Sequence, residues 1–198
     1  LFPAAALAAG RDAQRGLPCH AAQRQDGRPV ERLIGDRISW RAGAAANVFG
    51  PQGGLRISAG DLSKIGRLLL NDGEVDGVRL LKPESVQAMI GPVWSFDGNN
   101  GLTLEEDDPI RTQGGFTCRY GLAVHTLATG LPGCGDDPFG DDVQRIGHSG
   151  NAYGLLAGLW VDRKTGTGVA YFSIGNDAPE PGKHSAFSRI EETSAVGW

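Results

Sequence analysis

Apolar and polar positions are unevenly spread along the chain, and the clearest pattern lies in residues 143–176, VQRIGHSGNAYGLLAGLWVDRKTGTGVAYFSIGN. Three runs rich in apolar residues, 143–149, 154–161 and 168–174, are separated by Gly150-Asn151 and by the polar group 162–166. Runs of this length between Gly, Asn and Asp predict three strands of an antiparallel meander. The last two runs lack polar alternation, so both of their faces are expected to be covered. His148-Ser149-Gly150 is polar, sits at the end of the first strand, and calls for a separate reason.

Upstream, the period lengthens. Leu62, Ile65, Leu68 and Leu69 recur at helical spacing, Ser58 or Asp61 can cap the helix start, and Asn71-Asp72-Gly73 supplies a stop. Residues 78–81 read as a short strand or turn, and a second helix is expected over 83–90, with Pro83 in the first turn where no N–H is needed. Both helices are expected on one face of the sheet. Residues 91–116 read as loop, 119–127 as one strand, 128–142 as a long loop, 177–183 as a polar turn and 184–196 as a terminal helix carrying Phe187 and Ile190 on one side. Residues 1–29 have little periodicity, and one short strand is expected near Ile38-Ser39-Trp40.

The chain's 198 residues suffice for one domain with its own core. It reads as a single partial domain, with 1–48 an irregular lead-in and 49–198 the organised part. A net charge of -4 with both signs interspersed leaves no basic stripe and argues against nucleic acid. No apolar run is long enough to span a bilayer, and Leu1-Phe2-Pro3-Ala4 lacks the charged start of a secretory signal. Cys19, Cys118 and Cys134 form no C-x-x-C pair, so zinc is weakly supported. A Cys118–Cys134 disulfide and three separate thiols both remain open.

The segments GGLRISAGDLSKIGRLLLNDGEVDGVRLLKPESVQAMI, RYGLAV, RIGHSG and YGLLAGLWVDRKTGTGVAYFSIGN, in this order from about Gly53 onward, carry a family resemblance. They resemble the C-terminal part of the serine β-lactamase-like hydrolases, which include class C β-lactamases, penicillin-binding-protein-like D-peptidases and esterases. The resemblance implies an α+β fold of the β-lactamase/transpeptidase type, an antiparallel sheet flanked by helices at one side. It also implies acyl-enzyme chemistry built on Ser-x-x-Lys, on Tyr-x-Asn, and on Lys-Thr-Gly or His-Ser/Thr-Gly along a strand.

Two of those motifs are missing. Asp61, Arg79, Val161 and Glu180 stand three residues before Lys64, Lys82, Lys164 and Lys183, so there is no Ser-x-x-Lys. Leu122, Leu155 and Ser173 stand two after Tyr120, Tyr153 and Tyr171, so there is no Tyr-x-Asn. For the third motif, Lys164-Thr165-Gly166 has the literal spelling but lies in a polar turn, whereas His148-Ser149-Gly150 ends the strand where the resemblance puts it. At ~3.3 Å per residue the intervening strand separates the two turns by roughly 25 Å, so only one can border the site. His148-Ser149-Gly150 is preferred.

His148, Ser149 and Gly150 are accordingly the candidate catalytic residues, and Asn151 and Tyr153 the candidate substrate-binding ones. The Asn151 N–H can face a developing oxyanion, and a glycine on a strand edge lets substrate lie alongside. Histidine in place of lysine removes a fixed positive charge for a substrate carboxylate, which favours an esterase or D-peptidase over a β-lactamase. Blander readings stand beside these: Ser58 and Asp61 as caps, Tyr120 as a packing residue, and Asp136, Asp137, Asp141 and Asp142 as a solvated loop rather than a calcium site. His20, His125 and His184 are scattered and support no metal site. Cys19-His20 is a poor nucleophile pair, because adjacent residues in an extended segment point apart.

The expectation is the C-terminal part of a serine hydrolase cleaving an ester or amide, inactive alone and completed by an N-terminal portion or companion chain carrying Ser-x-x-Lys. No cofactor or metal is called for, and the family points to the periplasm or outside, with the cytoplasm still open. The alternative is a non-catalytic binding module derived from that fold.

Overall fold

A computed structural model describes residues 57–101, 103, 114–152, 154–176 and 179–197. The readings for the lead-in, including the strand near Ile38, lie outside these residues. Among the described residues the architecture is α+β, built on a six-stranded antiparallel sheet whose spatial order follows the chain.

Helix α1 (Ala59–Leu70) starts where its sequence directs: Ser58 Oγ accepts the Asp61 N–H at 3.0 Å, leaving Asp61 free to pair with Lys64. A small hairpin follows, β1 (Glu74–Val75) and β2 (Val78–Arg79). It turns at Asp76-Gly77, both with positive φ (51° and 78°), the conformation that an Asp-Gly hairpin turn requires. Helix α2 (Pro83–Ile90) begins at Pro83 as expected.

The sheet comprises β3 (Trp94–Ser95), β4 (Arg119–Tyr120), β5 (His125–Thr126), β6 (Ile146–Ala152), β7 (Leu155–Asp162) and β8 (Thr167–Ile174). The chain closes with α3 (Arg189–Val196). No helix among the described residues is long and apolar enough to cross a membrane.

Adjacent residues of β7 point to opposite faces and organise two core clusters. Val161 packs with Leu69 of α1 and Val86 of α2, so both helices lie on one face as read. Trp160 packs on the other face with Leu127 and Phe187. Cover of both faces holds for most of β7 but fails for β8, the last strand of the sheet. Phe172 and Ile174 remain 38% and 61% exposed.

Several boundaries differ from expectation. Strand β6 does not end at Ser149 in a Gly150-Asn151 turn. It continues to Ala152, with Gly150, Asn151 and Ala152 opposite Ala157, Leu156 and Leu155. The length of β7 offers those residues ladder partners, and this outweighs the turn preference of Gly-Asn. The turn falls later, where Gly154 takes φ 76°.

Residues 119–127 form two short strands rather than one. The chain reverses between them at Ala123 (φ 58°), and the Gly121 N–H donates to the Val124 carbonyl at 2.7 Å. The segment read as loop over 91–116 contributes β3.

The terminal helix starts at Arg189, not His184. Residues 183–185 are held out of the helix by Glu192, whose carboxylate accepts the N–H groups of Lys183, His184 and Ser185 and the Ser185 hydroxyl. Ser188 and Glu191 then form a capping box. Phe187 is fully buried from this irregular segment rather than from a helix face. Cys118 and Cys134 are joined in a disulfide, which decides between the two alternatives left open by spacing.

Candidate functional site

The motif strand acquires an open edge because its neighbour is short. On β6, strand β5 pairs only with Ile146 and Gly147. From His148 to Ala152, β6 is paired on the β7 side, and no strand among the described residues lies along its other side. The Leu127 N–H donates to the Arg145 carbonyl, so Arg145 presents its backbone groups toward β5. Alternation along the strand gives the same direction to Ser149 and Asn151, whose backbone N–H and C=O groups face the open edge.

His148 leans over that edge. Its Nδ1 lies in close hydrogen-bond contact with the Ser149 carbonyl. A carbonyl can only accept, so Nδ1 carries the hydrogen of that contact, and Nε2 lies 2.9 Å from the Tyr120 hydroxyl, in hydrogen-bond contact with it. Burial raises the Tyr120 pKa, which keeps that hydroxyl protonated. With the Ser149 carbonyl occupied, the open edge presents two N–H donors, from Ser149 and Asn151, against one free carbonyl, that of Asn151.

Beneath His148 lies a second imidazole. His125 is 5% exposed, with its ring centroid 4.6 Å from those of His148 and Tyr120, edge-on to each. Burial, and secondarily the charge that His148 can carry, push its pKa down to about 3. It is therefore neutral near neutral pH.

Beside the strand is a cavity of about 300 Å³, lined by Leu62, Ile65 and Leu69 of α1, Met89 of α2, Val124 and residues 147–150 of β6. His148, Ser149 and Gly150 thus share one wall. Asn151 follows them on the strand, exposed and outside the cavity lining. Tyr153 lies outside the described residues.

Lys164-Thr165-Gly166 forms the β7–β8 turn, where Asp162 accepts the N–H groups of Lys164 and Thr165 and the Thr165 hydroxyl. The two motifs are nearer than the roughly 25 Å expected of opposite turns, because His148 stands opposite Leu159, inside the ladder. Lys164 nevertheless belongs to a turn built around Asp162.

The acidic residues of the 128–142 loop serve the loop itself. Asp136 accepts the Thr129 N–H and hydroxyl, Asp137 accepts the N–H groups of Phe139, Gly140 and Asp142, and Asp141 pairs with Arg145.

Tyr120 and His125 were not among the sequence-derived site residues. Only the registers Tyr120↔His125 and His125↔Gly147 bring them to His148. The available signal was the Gly121 turn in RYGLAVH, which folds Tyr120 back onto His125.

Gly150 itself is not sterically required. A Cβ there would lie 3.6 Å from that of Ala157, an ordinary contact, and its φ is not in the left-handed region. Gly150→Ala should therefore keep the urea-unfolding free energy within about 0.5 kcal/mol. A larger loss would show that the strand tolerates no side chain at that position.

Among known proteins, no family model matches this chain and no curated protein does.

Proposed function

We propose that this chain is the C-terminal part of a β-lactamase-like serine hydrolase, and that it contributes the His148-Ser149-Gly150 strand to a site cleaving an ester or amide. The observation that carries the reading is the donor-rich open edge of β6 beside an apolar cavity. In acyl transfer a serine oxygen bonds to the substrate carbonyl carbon, and the carbonyl oxygen gains negative charge. The alcohol or amine leaves with a proton, and water then releases the acid from the acyl-enzyme. Backbone N–H groups fixed near that oxygen stabilise the charge without reorganising, and the Ser149 and Asn151 N–H groups are candidates for this role.

The neutral surroundings favour some substrates over others. Neither Tyr120 nor His125 carries a positive charge near neutral pH, and aliphatic side chains from α1 and α2 line much of the cavity. A substrate carboxylate gains little there, which favours an ester or a D-peptide over a β-lactam carrying an anion. The nucleophile would come from a companion chain or segment, because no Ser-x-x-Lys occurs in the 198 residues. The Cys118–Cys134 disulfide supports an oxidising compartment, such as the periplasm or the exterior.

Intact-mass spectrometry after fluorophosphonate treatment tests the proposal. One added probe mass on this chain or on a co-purifying chain is the expected result, with the labelled peptide locating the serine. If the chain is present alone and stays unlabelled, the hydrolase reading fails for this polypeptide and the binding module takes its place.

A further inference from the structure

We infer that Tyr120 is a positioning residue of the β6 site, which fixes His148 in the Nδ1–H tautomer and pins its ring across the open strand edge. The inference rests on the reading of His148 as a site residue, but its geometry stands apart from any catalytic claim.

Three contacts converge on one exposed imidazole. Nδ1 meets the carbonyl of the next residue, Nε2 meets the Tyr120 hydroxyl, and the ring stands edge-to-face against that of His125. An exposed histidine held by one nitrogen alone keeps the freedom to rotate and to exchange tautomers. Held at both nitrogens, it has one tautomer that satisfies an acceptor-only carbonyl on one side and a hydroxyl donor on the other. The reverse tautomer would set a bare Nδ1 against the Ser149 carbonyl, two acceptors facing each other.

The consequence is chemical as well as geometric. With His148 pinned, the Ser149 carbonyl stays engaged, and the edge keeps its excess of N–H donors, either of which can face an acyl oxygen. Without Tyr120 the ring is free to swing, the carbonyl is released, and the edge loses its bias toward donors. Tyr120 thus controls the hydrogen-bonding character of the Ser149–Asn151 edge without touching a substrate.

The test uses the chain as it is, labelled with ¹⁵N at histidine, with ring tautomers read by long-range ¹H–¹⁵N correlation at pH 7.5. Loss of one signal set in His148→Gln assigns His148. The expected wild-type pattern is a protonated Nδ1 and a pyridine-like Nε2. Tyr120→Phe keeps the ring packing on His125 and removes only the hydroxyl, so it should lower the ratio of Nδ1–H to Nε2–H about fivefold, the equivalent of one ordinary hydrogen bond. His125→Gln leaves the hydroxyl in place and should shift the ratio far less. A wild-type Nε2–H pattern, or a Tyr120→Phe spectrum with the wild-type ratio, overturns the inference. Fluorophosphonate labelling is read separately: an unlabelled preparation removes the hydrolase reading, whereas an unchanged tautomer ratio removes only the role of Tyr120.

Discussion

Gly147→Ala should destabilise the fold by about 4 kcal/mol, at the extreme of what a single methyl group does. A Cβ at Gly147 would lie 1.7 Å from the Leu159 carbonyl oxygen and 2.9 Å from the Trp160 ring. The oxygen would have to retreat by roughly 1.6 Å to reach even the shortest C–H···O contacts, about 3.3 Å. It cannot do so alone, because Leu159 belongs to β7, which is paired on both sides and has the buried Trp160 as its next residue. Excess methyl groups in cores typically cost about 1–3 kcal/mol when side chains can adjust, and here the obstacle is backbone. The measurement is the urea midpoint of Gly147→Ala beside that of Gly150→Ala. A loss below about 1 kcal/mol at Gly147 would mean that β6 and β7 separate far more easily than their ladder implies.

The contrast between these two glycines bears on how the motif was read. From sequence, the glycine of His-Ser-Gly drew attention because the resemblance assigns it a role, while Gly147 passed as an ordinary strand residue. Structurally the positions are reversed: Gly147 is where two backbones approach closely, and Gly150 has room for a side chain. The central meander was legible because its apolar runs are long. The starts of α1 and α2 were legible because Ser58 and Pro83 act locally through a side-chain oxygen and a missing N–H.

The site beyond His148 was not legible, for two physical reasons. Strands β3, β4 and β5 have two residues each, too few to show any period. Their partners are fixed by register, and register is a property of the assembled sheet. The extent of β6 failed for a related reason. Gly-Asn has a genuine turn preference, but the preference is weak against the ladder bonds that β7 provides. The start of α3 was misplaced because the apolar pattern of Phe187 and Ile190 continues through a segment that Glu192 holds in a non-helical loop.

The largest expected response to solution conditions comes from His125. In the unfolded chain its imidazole takes up a proton near pH 6.5, whereas in the fold its pKa is pushed down to about 3. Above pH 6.5 both states are neutral and the residue contributes nothing to the pH dependence. Between pH 6.5 and 3 the unfolded chain holds a proton that the folded chain refuses, so stability falls as pH falls, by at most about 1.4 kcal/mol per unit. From pH 6.5 to 4 the loss should reach about 3 kcal/mol, a large share of a small domain's stability.

Carboxyl groups add their own slopes in the lower half of that window. Burial alone would raise the pKa values of Asp162 and Glu192, but their hydrogen bonds bring both down, so their protonation also weakens the fold. Asp136, raised by its burial, works in the opposite direction. The His125 contribution is therefore read as a difference between stability curves of the parent chain and His125→Gln, whose amide does not titrate in this range. That difference should steepen below pH 6.5 and level off near pH 3. His148→Gln should retain most of the slope, because burial rather than the neighbouring ring is the larger cause of the shift. A slope lost with His148 and kept with His125 would reverse that order. A difference curve flat from pH 6.5 to 4 would show that water reaches His125, and that the imidazole beneath His148 is not the dry support described by its 5% exposure.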